Sequence, residues 1–268
     1  MELLKSILIS LLLWNVALAQ TYVPAWKPLS RDEVRLSQST HLIFEADSAN
    51  GFLRYRGYVV KYDNTLHSPK YTIHQLTPKQ IDSQAGTKAK RLSTFLIDTD
   101  NLSGFSATNA DYKNSGWDRG HMVPAGDFYW NVEFKNETFL YSNISPQQPN
   151  LNRGIWANLE EAIRRKVLQI DDTAYVITGA IYQPNGEVIG PDHVAVPSHI
   201  YKIVFFPDQE RIYAFLFDNG VATFEGSLNQ FQVSVDDLEV IAGEDFFEVL
   251  EDSIEVRLEK ATQVFDGY

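Results

Sequence analysis

The sequence predicts an α+β protein: a central, mostly antiparallel sheet flanked by helices. Three observations carry this expectation. Runs rich in β-branched and aromatic residues recur with short turns between them, and a helix-period apolar stripe occupies residues 153–168. Between Asp118 and Glu160, the side chains with the most chemistry to offer fall on what reads as strand, strand and helix in succession.

In chain order, residues 1–19 read as a cleaved signal peptide. Lys5 precedes an apolar run from Ile7 to Ala17, and Ala17-Leu18-Ala19 before Gln20 fits a small-residue cleavage site. The run is well short of the roughly 20 residues that span a bilayer, and no later segment is as apolar. A secreted or periplasmic product with no membrane span in its mature form is therefore expected. Residues 20–40, polar and carrying Pro24 and Pro28, read as a loose lead-in. Residues 41–268 are then one domain with an acidic C-terminal segment, and the 44% apolar content of the whole chain is that of a globular protein with a full core.

Within that domain, residues 57–62 and 71–76 have strand composition, separated by turn signals at Asp63-Asn64 and Ser68-Pro69. Further strands are expected at 174–182, 200–206 and 211–217, the last two joined by the turn Pro207-Asp208-Gln209-Glu210. The helix at 153–168 places Ile155, Leu159, Ala162, Ile163 and Val167 on one face, and Asn150-Leu151-Asn152 suits its capped start. Residues 236–239 and 243–247 read as short helical turns, the second anchored by Phe246 and Phe247.

The chain has no cysteine, which excludes disulfides, thiolate metal sites and a cysteine nucleophile. Its formal charge of −12 is unfavourable for binding phosphates, but the imbalance is local. From Gln232 to Tyr268, eleven acidic residues face only Arg257 and Lys260, so the rest of the chain carries −3. A basic cleft bordered by Lys88, Lys90, Arg91, Lys113, Arg153, Arg164 and Arg165 is compatible with that, and the acidic tail reads as solvated surface. His41, His67, His74, His193 and His199 lack zinc-type spacing and read as structural.

The chemistry concentrates in Asp118-Arg119-Gly120-His121, Asn143, Asn152 and Glu160. His121 lies in an extended run, 117–124, that reads as the first strand of a hairpin, with 139–144 returning and the helix following. An imidazole accepts a proton from water near neutral pH, a guanidinium clamps a phosphate in two-pronged fashion, and oxygen ligands hold a hard cation. Asn152 at the helix start offers an amide oxygen to such a cation, or serves only as a cap. Glu160, two turns on, can accept hydrogen bonds from the cation's water ligands.

Residues 106–127, the run Asn143-Ile144-Ser145-Pro146-Gln147, and Asn152 to Glu160 together resemble the DNA/RNA nonspecific endonuclease family. Thr108-Asn109-Ala110-Asp111-Tyr112 makes the resemblance nearer to its mitochondrial endonuclease G branch. The likeness spans roughly residues 40–250 and implies a ββα-metal (His-Me finger) nuclease fold. It further implies His121 as general base, Asn152 as metal ligand, and Arg119 beside the scissile phosphate. Glu160 matches the carboxylate behind the metal, Asn143 the asparagine supporting the site, and Arg91 a second phosphate-binding arginine. The implied cofactor is Mg²⁺ or another divalent cation such as Mn²⁺, and the implied products end in 5′-phosphate and 3′-hydroxyl. The expected partners are DNA and RNA backbone, and the resemblance admits a homodimer and an inhibitor protein. Because an ordinary imidazole titrates near 6.5, activity is expected to rise from about pH 6 to 8. Two other readings stay open: a noncatalytic nucleic-acid-binding domain on the same fold, and a hydrolase of small phosphodiesters.

Overall fold

The structure, a computed structural model, describes residues 52–83, 92–102, 104–247, 250, 252–260 and 262–267. The expected signal peptide, the lead-in, Lys88, Lys90 and Arg91 lie outside these. The described strands are β1 (Phe52–Arg54), β2 (Tyr58–Asp63), β3 (Ser68–Leu76), β4 (Asp118–His121), β5 (Ile144–Gln147), β6 (Ala174–Ile181), β7 (Val188–Ile189), β8 (Val194–Ala195), β9 (His199–Phe206), β10 (Arg211–Asp218) and β11 (Gln232–Val233). Seven of them form one sheet in the order β1-β2-β3-β6-β9-β10-β11, antiparallel at every junction. The α+β expectation holds.

Side chains alternate across this sheet, so it buries two faces. On one, Tyr71, Ile73, Ile177, Ile203 and Phe205 meet Leu238, Phe246 and Phe247 of the C-terminal region. On the other, Val176, Val204, Phe206 and Phe215 meet Trp156, Leu159, Ile163 and Val167 of the long helix Trp156–Ile170. That helix ends at Asp171 in the left-handed conformation (φ 52°), where a small polar residue closes the last turn in place of glycine.

Four local expectations need correction. Ser68-Pro69 is no turn but the start of β3. The proline sits where the register with β2 shifts and before β6 begins to pair at Tyr71, so its missing N–H breaks no ladder bond. The strand returning to β4 is Ile144–Gln147, not 139–144, because the chain at 139–141 is held elsewhere. Leu96 N–H donates to Phe139 O and Tyr141 N–H to Leu96 O, both at 2.9 Å, after which Tyr141–Asn143 form a 3₁₀ turn. Regular helix begins at Trp156, preceded by a π-turn, Leu151–Ile155, whose backbone leaves helical geometry at Gly154. Residues 243–247 are not helical, since Gly243 (φ 66°) caps the helix Val235–Ala242, yet Phe246 and Phe247 are fully buried as expected.

Candidate active site

A second, two-stranded sheet supplies the site. β4 pairs antiparallel with β5, placing Arg119 opposite Pro146 and His121 opposite Ile144. Gly120 is required here: a Cβ on it would lie 2.1 Å from Cδ of the buried Gln147 side chain, so any larger residue would have to displace that side chain. Buried Asn219 ties this unit to the main sheet, its amide donating to Pro146 O (3.1 Å) and Pro197 O (2.8 Å). Its Oδ1 accepts from Gln148 N–H at 3.0 Å. Gln148 Oε1 in turn accepts from Asn150 and Leu151 N–H, so the turn before the helix is held by Gln148, and Asn150 makes no side-chain cap.

Two residues apart on β4, Arg119 and His121 emerge on the same side, against Phe95. The His121 ring lies 5.4 Å from Phe95 and 4.9 Å, edge-on, from Phe139. Arg119 is held between aromatic faces, 5.6 Å from Phe95 and 5.5 Å from Tyr112. Its Nε donates to Tyr141 Oη at 3.2 Å and its Nη2 to Asn109 Oδ1. Asn109 opens a short helix capped by Thr108, whose N–H and hydroxyl both donate to Asp111 at 2.8 Å. The segment 108–112 thus has a mechanical purpose, which is to fix the guanidinium. Burial raises the Tyr141 phenol above its ordinary value, so it stays a neutral partner for Arg119.

Behind β4, Asn143 is fully buried and clamps the strand's exit. Its Oδ1 accepts from Val123 N–H (2.9 Å), and its Nδ2 donates to Val123 O (3.0 Å) and Thr138 O (2.9 Å). Asn143 holds the loop that leaves His121 and does not line the cleft.

His121, Arg119, Asn152 and Glu160 line one cleft of about 600 Å³, together with Phe95, Asp118 and Arg164. Asn152 Nδ2 donates to Asp118 Oδ2 at 2.9 Å, leaving its oxygen as the atom with ligand character. Arg153, expected only to border the cleft, also pairs with Asp118. Glu160 is half-buried, and burial raises its carboxyl above the ordinary range. Lys202, buried on β9, works against that rise; burial lowers its own ammonium while Glu160 favours its charge. Its Nζ stands 4.6 Å over the Trp156 ring.

The donor set fits a hard divalent cation: an amide oxygen pre-set by Asp118, and a carboxylate whose ionised form burial disfavours and a cation would favour. Of the other candidate cleft cations, Arg164 lines the cavity but bonds to Asp127 (2.8 Å) and Glu161 (3.0 Å). Lys113 is exposed outside it, and Arg165 faces a separate groove with Asn158 and Ser227. Of the seven candidate cations, these two stand away from the cleft, on solvated surface.

His74 is more than an inert histidine. Fully buried, its Nε2 lies 2.9 Å from Asp127 Oδ2, which connects it through Arg164 to the cleft. Burial lowers the imidazole below its ordinary value. Burial would raise Asp127, but His74 and Arg164 more than offset it and hold the carboxylate low. The folded state therefore keeps His74 neutral, a contribution fully present above the unfolded value near 6.5 and lost as pH falls below it. The depressed Asp127 adds stability above about 3.9 that is lost at still lower pH. Urea melts should therefore show wild type losing on the order of 1 kcal/mol relative to His74→Gln between pH 8 and 5. Parallel curves for the two proteins would contradict a neutral His74.

Two antiparallel strands and a helix enclosing an imidazole, a guanidinium and oxygen ligands define a ββα-metal fold of the nuclease class. The chain belongs to the DNA/RNA non-specific endonuclease family, whose model matches residues 37–253. It is 34% identical to the mitochondrial nuclease EXOG of Mus musculus over 220 residues, 76% of this chain and 59% of the relative. It thus spans about three fifths of that relative's length. Identity is 33% to Nuclease C1 of Cunninghamella echinulata var. echinulata (80% of this chain, 90% of the relative) and 31% to mitochondrial endonuclease G of Homo sapiens (69% and 66%). A crystal structure of the EndoG/EndoGI complex, concerned with the mechanism of EndoG inhibition, matches with a TM-score of 0.65 at 29% identity, over 78% of this chain and 89% of that one. Among the described residues no helix is long and apolar enough to cross a membrane.

Proposed function

We propose that this chain is a divalent-cation-dependent endonuclease that hydrolyses DNA and RNA phosphodiesters with little sequence preference. The observation that carries the reading is the convergence of His121, Arg119, Asn152 and Glu160 on one cleft. His121 takes a proton from the attacking water. Arg119, held by two aromatic faces and by hydrogen bonds to Tyr141 and Asn109, meets the charge gathering on the phosphoryl oxygens. Asn152 would hold the cation directly and Glu160 would accept from its waters; when bound, that cation supplies Lewis-acid stabilisation of the scissile phosphate. Asn143 positions the base. Arg91 as a second phosphate contact and residues 1–19 as an export signal belong to the same reading. So do a homodimer and an inhibitor protein as partners; the inhibitor finds support in the EndoG/EndoGI neighbour.

The decisive test is digestion of plasmid DNA and of RNA in Mg²⁺ or EDTA. We expect activity in Mg²⁺ alone, lost by at least about 10²-fold in Asn152→Ala. Undiminished digestion in EDTA, or by that variant, would remove the metal from the mechanism. Cleavage of small phosphodiesters without polymer cleavage would select the alternative hydrolase reading.

Backbone contacts from the few cations that line the cleft among the described residues, two of them already ion-paired, imply a weak, salt-sensitive grip. Activity at subsaturating DNA should fall about tenfold between 0.05 and 0.2 M NaCl. A flat salt profile would show that phosphate contacts contribute little to binding.

A further inference from the structure

The acidic C-terminal segment is not merely solvated surface. The helix Val235–Ala242 starts at Ser234, whose hydroxyl accepts from Asp237 N–H at 3.1 Å, and the helix Asp252–Glu259 packs against it. Where they meet, one carboxylate oxygen from each of Asp236, Glu239 and Glu259 lies within 4.8 Å of the other two. Glu259 is 6% exposed, and its buried Oε1 has no hydrogen-bond partner among the described residues. Glu239 commits one oxygen to Phe246 N–H at 2.8 Å. The helices that hold these groups are fixed, because Leu238 and Leu258 are buried in the adjoining core.

A buried carboxylate with an oxygen that meets no donor among the described residues, set beside two further carboxylates, needs a proton or a cation to balance it. Ligands about 2.3–2.6 Å from a calcium ion stand at most about 5 Å from one another, so these three oxygens fit one coordination sphere. Water can complete the six to eight oxygens that calcium takes. We propose that Asp236, Glu239 and Glu259 form a calcium-type cation site, distinct from the cleft, that clamps the two C-terminal helices together. It lies on the sheet face opposite the helix that carries Glu160, so it serves the scaffold rather than the cleft chemistry.

The test uses the full chain carrying Asn152→Ala, which removes the cleft ligand, stripped with EDTA and dialysed free of it. At pH 8, 1 mM CaCl₂ should raise Tm by about 5 °C, and calorimetric titration with Ca²⁺ should show a single site. Adding Glu259→Gln should abolish both effects, as should the more conservative Asp236→Asn should the first variant fold poorly. In a chain with Asn152 intact, Glu259→Gln should leave Mg²⁺-dependent digestion unchanged. A parent protein whose melting ignores Ca²⁺, or a shift that survives both substitutions, would overturn the site whatever the cleft proves to do.

Discussion

His121→Ala should produce a folded protein whose digestion of plasmid DNA falls by about 10³-fold, within the range that a positioned acid–base group contributes. Among the described residues lining the cleft, His121 is the sole imidazole, and the other basic side chains there are guanidiniums that stay protonated and accept nothing. Glu160 is no substitute as base in this reading, because it stands on the helix that follows the proposed cation ligand Asn152 rather than on β4. The fold should survive because β4 is held through its backbone to β5 and through the Asn143 clamp, neither of which uses the imidazole. The ring does pack against Phe95 and Phe139, so a melting loss of about 1–2 kcal/mol is expected. Digestion and thermal melting measured on the same preparation separate these effects. A folded variant retaining a tenth of wild-type activity would assign proton removal to another group, and added imidazole that restores rate would support the assignment.

How much of this was readable beforehand follows from where the information resides. The five long strands and the long helix were legible because burial on two faces writes Val, Ile, Phe and Tyr at strand and helix periods. His121, Arg119, Asn152 and Glu160 were legible because their spacing suits one supersecondary unit, and the cleft does bring them together. What was lost depends on contacts distant in sequence. Nothing local says that Leu96 captures residues 139–141 and delays the returning strand to Ile144. Gln148 capping the turn before the helix, Asn219 tying β5 to the main sheet, and Lys202 buried beneath Glu160 are polar residues whose partners lie elsewhere in the chain. His74 looked inert for the same reason, since its partner Asp127 lies 53 residues away. The C-terminal carboxylates looked like a solubilising tail because charge patterning cannot show that one of them turns inward.

Asn143→Ala should cost both stability and activity, and the balance between them identifies what the residue does. The amide is fully buried and makes three hydrogen bonds to backbone, so truncation strands Val123 N–H, Val123 O and Thr138 O away from water. At roughly 1–3 kcal/mol for each buried group left unsatisfied, the loss should be about 3–6 kcal/mol. That is a large share of the ~5–15 kcal/mol that holds a domain together, and the melting temperature should drop by about 10 °C or more. Activity should fall at temperatures where the protein is still folded, through kcat rather than KM, because Val123 is two residues beyond His121 and its displacement misaims the ring without altering the phosphate contact proposed for Arg119. Asn143→Asp is the sharper control. It keeps the volume and the acceptor for Val123 N–H but sets an oxygen against the carbonyls of Val123 and Thr138, so it should be no more stable than the alanine variant. A fully stable but inactive Asn143→Ala would show that the side chain acts in the reaction itself, which its position behind the strand does not allow.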